Sequence, residues 1–224
     1  MHLYYENHKK NKDMNNLFKL LLVLASCTLA FLCYESIVTP IEFNEEKEAR
    51  DKVIVERLID IRRAETEYRN IKGDYTDNFD TLLYFIKNEK AKIVLKEGEL
   101  TDKQLEDGLT EKKAVELGLI KRDTTYVSML ENLFSKDYPV DSLRYIPFSS
   151  PRQEFTLEKS EITTGSAGIK VKVMAAKAPY VSYLNDLDKQ ELINLVETTE
   201  KLEKYPGLKF GDIEQANNNA GNWE

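Results

Sequence analysis

Residues 17–73 read LFKLLLVLASCTLAFLCYESIVTPIEFNEEKEARDKVIVERLIDIRRAETEYRNIKG, and the two halves of this stretch obey different rules. No charge occurs from Leu20 to Tyr34. With Leu17, Phe18, Ile37 and Val38 the apolar character covers roughly 20 residues, about what a helix needs to cross the hydrocarbon of a bilayer. Lys19 can snorkel to the headgroups, and Ser26 and Thr28 can return their hydroxyls to the helix backbone. After Pro40 the pattern changes. Val53, Ile54, Leu58, Ile61, Ala64, Tyr68 and Ile71 recur at spacings of three and four, while Glu56, Arg57, Asp60, Arg62, Arg63, Glu67 and Arg69 cover the remainder. That spacing predicts an amphipathic helix with one buried face. Glu45, Glu46 and Glu48 suit the positive end of its dipole, and Gly73 suits a left-handed stop after Lys72. Pro40, with no amide to donate, marks either the start of this helix or a kink between the two halves.

The flanking charges set a direction. Lys9, Lys10, Lys12 and Lys19 precede the apolar run, and Glu35, Glu42, Glu45 and Glu46 follow it. Positive-inside therefore predicts a cytoplasmic N-terminus and an exported C-terminal domain, which for a bacterial chain means an inner-membrane anchor and a periplasmic domain. Two other readings stay open, because a basic region followed by an apolar core also describes a secretory signal. Leu24-Ala25-Ser26-Cys27 is similar to a lipobox, so Cys27 is a candidate for lipidation, although Thr28 to Cys33 continues apolar where a lipoprotein carries a polar tether. Met14 is an alternative start to Met1.

Composition narrows the partners. The 224 residues carry 32 Lys and Arg against 39 Asp and Glu, a net charge of -7 with a pI near 5.2, which disfavours nucleic acid. Both cysteines, Cys27 and Cys33, lie in the apolar run, so the exported part has no disulfide to hold it. Both histidines, His2 and His8, precede the membrane segment. Ser-His-Asp and Cys-His catalysis and ordinary zinc sites therefore lack their residues in the exported domain. No glycine-rich phosphate loop occurs. The expectation is a protein that is not an enzyme and carries no cofactor or metal.

Read together, Pro40, Arg50, Lys52-Val53, Glu56, Leu58, Ile61, Ala64, Glu67-Tyr68, Lys72-Gly73 and Tyr75-Thr76 resemble the N-terminal helix of type IV pilins and type II secretion pseudopilins. The resemblance covers Ile37 to about Phe79. It implies an α+β, pilin-like fold in which the membrane helix continues into a long amphipathic helix laid on a small antiparallel sheet. The chain departs from that family at its N-terminus: the prepilin cleavage run is missing, and Glu35 lies at the far end of the span from the family's glutamate. The later part of the chain is also similar to single-span bacterial envelope proteins without an assigned activity.

Beyond Gly73, Asp74 to Asp80 predicts a turn leading into a short helix through Leu82, Leu83, Phe85 and Ile86, capped by Asp77 or Asn78. The resemblance also suggests calcium for this acidic cluster. The loop lacks EF-hand spacing, however, and caps and Asx-turns account for its residues. Ile93 to Leu95 predicts a short strand. Asp102 to Leu117 has helical spacing at Leu105, Leu109, Ala114 and Leu117, and Tyr126 to Phe134 suggests another turn of helix. A three-stranded meander is expected from Ser142–Phe148, Glu154–Ile162 and Ile169–Ala176, with the Pro147 strand at an edge and a turn through Gly165 and Gly168. Asp188 begins a last helix carrying Leu192, Leu195, Val196, Thr199 and Leu202, which ends at Pro206-Gly207.

The resulting organisation is a cytoplasmic segment at 1–16, a membrane anchor at 17–38, a stalk helix at 39–73, an α+β domain at 74–209 and a polar tail at 210–224. The tail holds the only tryptophan, Trp223, which either docks or hangs loose. Two functions compete. One is a structural or assembly subunit of a pilus- or secretion-type complex, contacting other envelope subunits or itself through Val53, Leu58, Ile61 and Tyr68. The other is a stand-alone anchored or lipidated periplasmic protein-binding module.

Overall fold

The computed structural model describes residues 2–98, 100–101, 104, 108–165 and 168–224. The chain is α+β, built along one helix, α1 (His2–Lys72), which runs unbroken through Pro40. Proline there removes one amide from the ladder, and the helix neither starts nor ends at it. The Asn44 amide donates to the Pro40 carbonyl at 2.8 Å. From Phe18 onward α1 is the one helix among the described residues long and apolar enough to cross a membrane. Its apolar side chains from Phe18 to Ile37 are bare. Burial begins at Val38, and Phe43 is already part of the core.

From there the helix is the spine of the domain. Ile54, Leu58, Ile61 and Ala64 are fully buried, at spacings of four, three and three, and Tyr68 meets Phe85 edge-on with ring centroids 5.0 Å apart. Burying each large aliphatic side chain contributes about 1.5–3 kcal/mol. Val53 and Ile71 belong to the sequence pattern but not to this face; they are exposed, at 38% and 46%. Gly73 ends the helix with φ 77° and donates its amide to the Arg69 carbonyl at 2.8 Å.

Helix α2 (Phe79–Asn88) then folds back against the spine, with Asn78 as its cap accepting from the amides of Asp80 and Thr81. Strands β1 (Lys90–Glu97) and β2 (Lys121–Ser128) form a separate antiparallel pair, with Lys90 opposite Ser128. Between them lies α3 (Glu111–Glu116), and after them α4 (Met129–Leu133). Of the helix expected from Asp102 to Leu117, the described residues show Gln104 as helical and then α3; Asp102 and Leu105 lie outside the described residues, and Leu109 precedes α3. Tyr126 is in β2, so only Met129 onward fulfils the turn of helix expected there.

The main sheet has the order β3-β4-β5, all antiparallel: β3 (Thr156–Thr164), β4 (Ile169–Pro179) and β5 (Gly207–Gly211). Two of these strands match expectation and one does not. Ser142–Phe148 is a 3-10 turn (Val140–Ser142) and a loop, joined to Glu154 by a single bridge from Tyr145. Its buried side chains, Leu143 and Ile146, are three residues apart, the spacing of a turn and not of a strand. The third strand is β5, which lies across the expected boundary between domain and tail. Gly211 allows that strand to close on β4, because a Cβ there would sit 2.0 Å from the Met174 carbonyl oxygen and its φ is 72°. Short helix α5 (Tyr180–Tyr183) and α6 (Lys189–Lys201), capped by Asp188, connect β4 to β5.

In detergent micelles, Leu58→Ala should lower the unfolding free energy by about 2–5 kcal/mol through the cavity it leaves, whereas Val53→Ala should stay within about 0.5 kcal/mol. Urea titrations followed by circular dichroism separate the two.

Candidate interaction site

Three polar constellations lie along the spine. Nearest the apolar half, Arg50 is almost completely buried. Its guanidinium grips both Asp186 oxygens, at 2.6 and 2.8 Å, donates to the Tyr183 carbonyl at 2.6 Å and meets Glu46 one turn back at 2.8 Å. The Tyr183 hydroxyl donates to Asp51 at 2.7 Å. A two-pronged Arg–carboxylate pair fixes orientation as well as distance, so this cluster locks the segment after β4 onto α1. The bond from Arg50 holds the Asp186 carboxyl below its usual range.

Next comes the turn that ends the spine. Lys172 donates to the Gly73 carbonyl at 2.7 Å and Lys159 to that of Tyr75 at 3.1 Å, and both face Asp74 at 3.6 Å. Asp80 pairs with Arg144 at 2.8 Å. The acidic cluster expected from sequence is thus spread over caps and ion pairs. Beneath the turn sits Glu65, fully buried on α1. One of its oxygens accepts from the Thr76 amide at 3.1 Å, and the other, Oε1, has no partner. Burial pushes its carboxyl up to about 8, against the Thr76 bond and the charge of Lys159.

The third constellation is a cleft of about 860 Å³ between α1 and the segment 217–220 that precedes the end of the described chain. Arg62, Arg63 and Arg69 line its α1 wall, with Tyr75 and Asn132 beside them. Asn218 and Asn219 both have positive φ, near 56°, in a turn closed by the Ala220 amide on the Asn217 carbonyl; asparagine tolerates that conformation better than other side chains. The turn returns the chain to the sheet edge, where Phe210 bridges Gly221 and the Asn222 amide donates to Lys209. Across the cleft Arg62 Nη1 meets Glu224 Oε1 at 2.6 Å.

The residues singled out in the sequence are not gathered at any one of these places. Leu58 and Ile61 face the chain's own core, which removes them from any external surface; Tyr68 is half-buried on Phe85, and Val53 alone of the four is exposed. Trp223 is docked, half-buried against the core. Cys27 and Cys33 are both exposed and unpaired on the bare apolar helix. Sequence pattern did not reveal Glu65 or the arginine cleft: Glu65 is an ordinary charge in a charged helix until the turn folds over it. Among the described residues no three His, Cys, Asp or Glu side chains come together as a metal site. No protein-family model matches the chain, and no curated protein or solved structure matches it.

Because folded Glu65 binds its proton more tightly than an unfolded glutamate near 4.5 does, stability should fall as pH rises from about 4.5 to 8 and level off above that. Glu65→Gln should flatten this slope and be more stable than wild type at pH 8.5 by about 1–4 kcal/mol, read from urea midpoints across pH.

Proposed function

We propose that this chain is a membrane-anchored, non-enzymatic envelope protein whose pilin-like exported domain serves as a structural or assembly subunit. The observation that carries this reading is the continuity of α1 from bare apolar rod to fully buried core, with no linker between. A tethered enzyme gains nothing from a rigid connection to its anchor. A subunit that must hold its domain at a fixed height and angle to its neighbours gains both.

In this reading residues from Phe18 to about Val38 cross the inner membrane, with the N-terminus in the cytoplasm and the domain in the periplasm. The long helix against an antiparallel sheet supports the pilin-like description. The proposed partners are other envelope or secretion subunits, or further copies of this chain. Leu58 and Ile61 act by holding the domain to the spine, and lateral contacts fall to the bare helix and to Val53. A second reading, an anchored module that works alone, is favoured by the completeness of the core around α1, which leaves no part of the stripe needing a neighbour.

The native cysteines discriminate between these. Six residues apart on a helix, Cys27 and Cys33 point about 120° from each other. Copper-phenanthroline oxidation of native membranes should cross-link one of the single-cysteine variants, Cys27→Ser or Cys33→Ser, and spare the other, because a subunit interface uses one face. Equal, weak cross-linking of both, or none, selects the solitary module.

A further inference from the structure

The cleft beside the 217–224 segment is rich in hydrogen-bond donors and already holds one carboxylate. Arg62 engages Glu224 and the Asn219 carbonyl through Nη1 alone, at 2.6 and 3.1 Å. Its Nε and Nη2 have no partner among the described residues. Arg63 donates to the Leu133 carbonyl at 3.1 Å through Nη1 only. Each guanidinium carries five N–H donors, so most of the capacity of this wall is free.

Tyr75 adds an independent sign. It is 3% exposed, lines the cleft, and its hydroxyl accepts from both Arg69 Nη1, at 3.0 Å, and Asn219 Nδ2, at 2.9 Å. Its own proton has no acceptor among the described residues. A buried hydroxyl that accepts twice and donates to nothing is short of one acceptor on its open side. The other acid of the rim, Glu67, is engaged by the Asn70 amide at 2.7 Å.

We propose that this cleft binds an acidic peptide segment of a partner protein, with the Glu224 carboxylate holding the first position in the free chain. Carboxylates suit the forked donors of arginine, and Glu224 displays the mode on this wall. Other anionic surfaces fit less well. Arg62 stands 24 residues beyond Val38, about 36 Å along the helix, out of reach of the headgroups where the span ends. Sugar acids would look for an open aromatic face, and the Tyr75 ring is covered by Arg69, 5.1 Å from its centroid. This assignment does not depend on association of the spans, so the cross-linking outcome leaves it untouched.

Trp223, the only tryptophan, adjoins Glu224 and reports on the cleft. Full-length protein in detergent micelles, titrated with acetylated, amidated hexaglutamate at low salt, should show a saturable change in tryptophan fluorescence that hexaglutamine does not produce. Arg62→Ala should weaken binding about tenfold or more. Glu224→Gln, which removes the resident competitor, should tighten it roughly two- to fivefold; loss of fold cannot produce that gain. Equal response to hexaglutamine, stronger binding of oligogalacturonate than of the peptide, or no saturable binding by Glu224→Gln overturns the proposal.

Discussion

Everything in this molecule depends on the face of α1 that carries Ile54, Leu58, Ile61 and Ala64. All four side chains are fully buried, and the turn after Gly73, α2, and strands β4 and β5 pack around the helix that presents them. The same helix, without interruption, is bare and apolar from Phe18 to Ile37. One rod thus serves two environments. Its exposed apolar half would be a severe liability in water, and in the proposed reading lipid covers it.

The two polar groups buried on the spine divide the work of holding the domain in place. Arg50, bonded to Asp186, Tyr183 and Glu46, pins the near end. Glu65 lies under the turn at the far end with one oxygen unpaired. The first is a satisfied charge, which fixes geometry. The second is a group that burial drives toward its neutral form, so it couples the seating of the turn to pH. Lys159 and Lys172, reaching from the sheet to the carbonyls of Tyr75 and Gly73, hold the same turn from the other side.

Much of this was legible in the sequence because local rules coincide with the fold. The three-and-four spacing located the buried face, Gly73 its end, and the Asp77-Asn78 pair and Asp188 the starts of the following helices, Asn78 being the cap of the pair. The β3–β4 hairpin followed from alternation around Gly165 and Gly168. The failures have physical reasons. Val53 and Ile71 share the stripe's composition but lie one position off the face that the sheet happens to cover. Leu143 and Ile146 look strand-like as a run, yet their burial repeats at three. Gly207-Leu208-Lys209-Phe210-Gly211 does alternate, but three residues between glycines after a proline resemble a helix exit. The cleft has no local signature at all, since Arg62 and Asn219 are 157 residues apart and meet only when the end of the described chain returns to the spine.

What remains to be measured is the rigid continuity of the spine between its bare apolar half and the core. It is tested most directly by pulsed electron-electron resonance in lipid nanodiscs, with one spin label on native Cys33 and a second on Thr66→Cys, in a Cys27→Ser background. A continuous helix places the two backbones 33 residues apart, about 50 Å, and a single narrow distance distribution near that value is expected. A broad or shorter distribution would mean a joint near Pro40, and the domain would then be a tethered body and not the upper half of a rod.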